Sequence, residues 1–128
     1  MPEDGPGLQW ITASSEIRSI RKSGKLYRAG LVFVWVLGGA DEAGKPPAVA
    51  VVTGRGFSGA VTRNLAKRRV RGSLFEKREL LEPGSRYLIE GRAGVEEADY
   101  QLLVTEIDSI LSRARNCVKK RKPGRGEE

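Results

Sequence analysis

Apolar residues fall into blocks with different periods along the chain, and the periods separate strands from helices. Leu31-Val32-Phe33-Val34-Trp35-Val36-Leu37 is an unbroken run rich in β-branched and aromatic side chains. It is too short for a buried helix and predicts a central strand. Ala48 to Thr53 reads the same way, and Tyr87-Leu88-Ile89 begins another strand. Elsewhere the spacing is helical. Ile17 and Ile20 stand three apart with Arg18, Arg21 and Lys22 on the other sides, Ser14 or Ser15 available as a cap and Gly24 as a stop. A longer helix is predicted from Ala60 to about Arg78. After the Pro83-Gly84 turn and the third strand, Asp99 can cap a last helix, whose Leu103, Ile107, Ile110 and Ala114 share one face that must pack on a sheet.

The intervening segments complete the layout. Gly38 to Pro47 has three glycines and two adjacent prolines without apolar periodicity, and predicts an exposed hairpin loop. Residues 1–10 begin with a Pro-, Gly- and acid-rich stretch that predicts a flexible tail. Residues 116–128, with Lys119, Lys120, Arg121, Lys122 and Arg125 around Pro123, predict a basic disordered arm or a merely solubilising tail. Between them, residues 11–115 form one α+β domain with helices on a mostly antiparallel sheet.

Composition adds a partner class. The 128 residues carry 23 Lys and Arg against 16 Asp and Glu, a formal net charge of +7. Such a field attracts polyanions, whether RNA, DNA or an anionic membrane surface, and charge does not choose among them. The chain has no histidine and a single cysteine, Cys117, which removes the usual ligand set for zinc and any internal disulfide, and fits a reduced cytoplasmic location. No apolar run reaches the ~18 residues of a membrane span, and Met1-Pro2-Glu3-Asp4 lacks the pattern of a secretory signal.

The most informative stretch runs from Thr53 to Arg71. At ~100° per residue, Arg63, Lys67 and Arg71 form one row on the helix and Asn64 and Arg68 a second row beside it. Val61, Leu65, Ala66 and Val70 form the opposing apolar face, and Arg69 points into it and must snorkel its head to the edge. Like charges at these spacings repel by a few tenths of a kcal/mol per adjacent pair, a penalty that a phosphate backbone reverses. Four of the five cations between Ala60 and Arg71 are arginines, whose forked guanidinium matches phosphate oxygens. Gly54, Gly56 and Gly59 allow close backbone approach at the helix start, but no Walker-type lysine follows them.

Arg63-Asn64-Leu65-Ala66-Lys67-Arg68-Arg69-Val70-Arg71, preceded by Gly59-Ala60-Val61, resembles the Arg-Asn-Arg-x-Lys-Arg helix of the bacterial ribonuclease P protein component. The order of elements from about Ile11 to Arg115 is similar too. Two positions depart from the pattern. Leu65 stands where the family has its second arginine, and Gly54-Arg55-Gly56 replaces a serine followed by two basic residues.

The resemblance implies an α-β-β-β-α-β-α fold on a four-stranded sheet, with a left-handed βαβ crossover through the basic helix. It implies that Arg55, Arg63, Asn64, Lys67, Arg68 and Arg71 contact the catalytic RNA. A cleft lined by Ile17, Arg21, Trp35 and Val51 would hold the 5′ leader of precursor tRNA. Arg21 stands where family members often carry an aromatic. Trp35 is either a stacking platform for a base or ordinary core, since Phe33, Trp35 and Leu37 share one side of their strand, Val34 and Val36 the other, and sequence does not say which is covered. The implied assembly is one protein per RNA, with precursor tRNA as substrate, Mg2+ in the holoenzyme and no cofactor on the protein alone.

The residues bear on three rival classes. An independent nuclease needs clustered carboxylates or a histidine base, and Glu76, Glu79 and Glu82 read instead as a solvated surface. A membrane-surface protein needs an apolar helix face free for lipid. A ribosome-associated or other RNA-binding protein outside tRNA processing could use the same basic helix.

Overall fold

The computed structural model of the chain describes residues 8–38 and 45–121, with side chains as far as Arg115. The elements are β1 (Gln9–Trp10), α1 (Ser14–Ser23), β2 (Lys25–Arg28), β3 (Val32–Leu37), β4 (Ala48–Thr53), α2 (Ala60–Glu76), β5 (Arg86–Gly91) and α3 (Tyr100–Arg121). They build one sheet in the order β1-β4-β5-β3-β2. Among the four longer strands, β2–β3 and β3–β5 are antiparallel and β4–β5 is parallel, so the α+β layout and its mostly antiparallel sheet are as the sequence predicts. The parallel pair is joined through α2, and the two-residue β1 adds a second parallel edge on β4.

Period-two alternation decides what each strand face meets. Val32, Val34 and Val36 of β3, Val49 and Val51 of β4, and Tyr87 and Ile89 of β5 pack with Ala66, Val70 and Leu74 of α2 and with Leu103, Ile107, Ile110, Leu111 and Ala114 of α3. On the other face, Trp35, Ala50 and Leu88 pack with Ile11 and Ile20 under α1, with Ile17, Phe33, Leu37 and Val52 at the margin. Burial on both faces explains why β3 reads as a continuous apolar run. Each such aliphatic side chain contributes roughly 1.5–3 kcal/mol when fully buried.

Several expectations change. β3 and β4 are not a hairpin, because β5 lies between them and pairs with both. The loop was legible from its glycines and prolines, but its pairing depended on a strand later in the chain; residues 39–44 lie outside the described part. Gln9 and Trp10, assigned to the tail, pair with Ala48 and Val49. Residues 1–7 and 122–128 lie outside the described residues, whereas α3 continues through Arg121 into the segment assigned to the C-terminal arm. Ala13, not Ser14 or Ser15, is the N-cap of α1, without a side-chain cap bond. Gly24 does end that helix, its N–H donating to the Ile20 carbonyl at 2.7 Å. Asp99 precedes α3 and its carbonyl accepts the Leu103 N–H at 3.1 Å, opening the helical ladder.

Candidate RNA-binding interface

Two arginine-rich regions flank the β4–α2 connection. On α2, the residues that enter the core are Ala66, Val70, Ser73 and Leu74. Arg63, Asn64, Arg68 and Arg71 are exposed and Lys67 is half-buried at the flank. Among the described residues, none of these cations pairs with an acid, whereas Arg21 and Arg92 pair with Glu90, Lys77 with Asp108 and Arg115 with Glu82. Arg71 lies 5.9 Å from the ring centroid of Trp10, itself 40% exposed on β1. Arg69 differs from its neighbours. Its Nε donates to the Val95 carbonyl at 3.1 Å and its Nη2 to the Ala98 carbonyl, and its guanidinium faces the Tyr100 ring at 5.6 Å. It therefore holds the 92–98 turn against α2 and leaves the cationic strip to the other residues.

The apolar face expected on α2 is displaced. Val61 is 83% exposed and Leu65 38% exposed, whereas Ala66 and Val70 are buried as expected. At ~100° per residue, Val61 and Leu65 stand about 140° and about 100° around the axis from Ala66, toward the side that carries Arg68, so they do not share the buried face of Ala66, Val70 and Leu74. Leu65, where the family pattern has arginine, thus borders the basic strip as an apolar side chain.

The second region lies on the sheet face under α1. Arg21, Thr53, Gly54, Arg55, Glu90 and Arg92 line an open cavity of about 490 Å³. Arg21 places its guanidinium 4.7 Å above the Trp35 ring and donates to Glu90 at 3.0 Å. Arg92 and Arg28 lie over Phe33 at 4.2 and 5.6 Å. Trp35, only 8% exposed, belongs to the core and is covered by Arg21; it is no open platform. Ile17 is half-buried at the same margin.

Val51 does not line the cleft, contrary to expectation. It faces the opposite side of the sheet, in the core beneath α2 and α3. One residue along a strand reverses the face, and the β4 side chains on the cleft side are Ala48, Ala50 and Val52. Arg55, placed with the α2 set by the motif, sits in the connecting loop and lines the cleft cavity.

Sequence reasoning missed Phe33, Glu90 and Arg92 in this cleft. Phe33 was findable two positions before Trp35, and Glu90 as the lone carboxylate of β5, directly after Tyr87-Leu88-Ile89.

The loop entering α2 turns at Gly56, whose φ of +97° favours glycine, and an added Cβ would meet that of Ala93 at 3.0 Å. Among the described residues there is no group of three His, Cys, Asp or Glu side chains placed to hold a metal, and no helix is long and apolar enough to cross a membrane.

Known proteins with this architecture agree. The family model described as Ribonuclease P matches residues 7–115. A ribonuclease P protein component of Clavibacter michiganensis is 28% identical over 104 residues, 81% of this chain and 90% of that protein. One from Streptomyces avermitilis is 33% identical over 72 residues, and the chain spans 58% of its length. The ribonuclease P protein of Staphylococcus aureus superposes with a TM-score of 0.69 at 14% identity over 82% of this chain and 94% of that one. That of Thermotoga maritima gives 0.68 at 18% identity over 82% and 96%. With a family model matched over most of its length and the same fold in the solved members, the chain belongs to the ribonuclease P protein family.

Proposed function

We propose that the chain is the protein component of ribonuclease P and that it acts with a catalytic RNA to remove the 5′ leader of precursor tRNA. The observation that carries the reading is the strip Arg63, Asn64, Lys67, Arg68 and Arg71, exposed or at the margin of α2, whose cations have no acidic partner among the described residues. Neighbouring cations on a helix repel, and an RNA backbone offsets that cost. The reaction is hydrolysis of one phosphodiester bond, which leaves the mature tRNA 5′ end. Magnesium ions, held mainly by the RNA, would supply the activation of water and the stabilisation of the leaving oxygen.

The protein's part is electrostatic and positional. The α2 strip neutralises phosphates of the catalytic RNA, and the cleft under α1, with Ile17 at its margin and Arg21, Arg55 and Arg92 around its cavity, holds the single-stranded leader. One protein per RNA in the bacterial cytoplasm is the assembly this implies. The test is reconstitution with a bacterial ribonuclease P RNA and a precursor tRNA at low magnesium. The chain restores cleavage there and does nothing alone; a folded chain that leaves the RNA inactive contradicts the proposal.

A further inference from the structure

Glu90 is a carboxylate in a place where carboxylates are costly. It lies on β5 after Tyr87-Leu88-Ile89, with its side chain only 10% exposed. Burying a charge this far is unfavourable unless both oxygens are satisfied. They are. Arg21 Nη1 donates to Oε1 at 3.0 Å from α1, and Arg92 Nη1 donates to Oε2 at 2.5 Å from beyond the end of β5. Each arginine is also laid on a ring, Arg21 on Trp35 at 4.7 Å and Arg92 on Phe33 at 4.2 Å. The two rings meet edge to face, 6.4 Å between centroids at 68°. Two aromatic rings, two guanidinium groups and one carboxylate thus form a single stacked unit spanning the cleft.

The neighbouring backbone leaves room for this unit. An added Cβ at Gly54 would stand 2.5 Å from Glu90 Oε2 and 3.1 Å from Arg92 Nη1. This gives a physical reason for glycine at a position where the related pattern has serine. Arg21 and Arg92 keep 45% and 38% of their side chains exposed toward the cavity that Arg55 also lines. Three cations face one anion there, so the cavity stays positive. Each guanidinium carries five N–H donors, of which Glu90 takes one, and a planar cation is itself a surface for base stacking.

We propose that Glu90 is a positioning residue that fixes Arg21 and Arg92 as a guanidinium platform, on which single-stranded RNA stacks bases and to which it presents a phosphate. Trp35 and Phe33 are the layer beneath the platform and do not touch the RNA. The inference rests on the reading of this cleft as the leader site, and deepens it by replacing ring stacking with guanidinium stacking.

The test uses holoenzyme reconstituted from the full chain and a bacterial ribonuclease P RNA. Affinity is measured for precursor tRNA with a short single-stranded leader and for mature tRNA, and the ratio is the readout. Glu90→Gln keeps the shape but removes the charge that orients both arginines; it lowers the wild-type preference for the precursor about tenfold, the scale of one lost charge-assisted interaction. Arg21→Lys, at an exposed position, keeps the charge and removes the plane. It lowers the ratio similarly, and the double variant is no worse than either single one.

A purely structural Glu90 would shift the melting temperature and leave the ratio unchanged, which overturns the proposal. A wild-type enzyme with no preference for the precursor removes the leader-site reading and the platform with it. A second readout does not depend on Glu90→Gln folding. In a Trp10→Phe chain, Trp35 is the sole tryptophan. Its emission stays unchanged when a single-stranded oligoribonucleotide binds; quenching would place RNA on the ring and sink the platform.

Discussion

The α2 strip and the cleft under α1 are both rich in arginine, yet they treat the residue in opposite ways. On α2, Arg63 and Arg68 reach solvent with no acid beside them among the described residues. In the cleft, Arg21 and Arg92 are tied to one carboxylate and pressed on rings. The first arrangement maximises long-range attraction and counterion release but leaves side chains free to move. The second gives up charge to Glu90 in exchange for fixed orientation. A protein that must both adhere to a large RNA and hold a short strand in one place has use for each, and composition alone cannot tell them apart.

Five perturbations sharpen or break this contrast. The largest effect is on folding. Trp35→Ala removes a core side chain and costs about 3–5 kcal/mol, read as a loss in the denaturation midpoint. A cost below about 1 kcal/mol would mean that the ring is not core after all. Next, Arg63→Ala with Arg68→Ala weakens RNA association about tenfold at physiological salt and flattens its log–log salt slope by about 0.7 per lost phosphate contact. The same variant leaves the melting temperature nearly unchanged, whereas Arg69→Ala does the reverse, because its bonds to the Val95 and Ala98 carbonyls are internal.

Leu65→Arg is a smaller change in the favourable direction. The position is 38% exposed beside the strip, so a cation there raises RNA affinity a few-fold without a stability cost above about 0.5 kcal/mol. The smallest effect is in pH. Burial raises the Tyr87 phenol above its usual 10.0. The folded state therefore holds that proton more tightly than the unfolded one, and the contribution is complete below pH 10.0 and lost as pH rises through the folded value. Melting curves decline above that pH, and Tyr87→Phe reduces the decline.

Much of this was legible in the chain and some was not, for definite reasons. β3 and β4 were visible because strands buried on both faces are apolar throughout. The same property hid which face each residue takes, so Val51 was assigned to the cleft although Ala50 and Val52 are the residues on that side. The cationic strip was visible because it depends only on helical spacing. Val61 and Leu65 fall outside the buried face because, at ~100° per residue, they stand about 140° and about 100° from Ala66, so the four residues do not share one side of the helix. β1 was missed because two residues carry no period, and the β3–β4 hairpin was wrongly expected because pairing is decided by β5. Glu90 stands out in the chain as the lone carboxylate of its strand with Arg92 nearby, but its second partner, Arg21, is brought to it only by the fold.

The most direct measurement places a chemical probe on the strip itself. With Cys117 replaced by serine and Asn64 by cysteine, a hydroxyl-radical source tethered at residue 64 is carried on the exposed side of α2. In the reconstituted complex it should cut a bacterial ribonuclease P RNA at a few clustered nucleotides, and added salt should abolish the pattern as the complex dissociates. Scattered cutting indistinguishable from free reagent, in a complex shown to be assembled, would mean that the open cations of α2 do not face RNA.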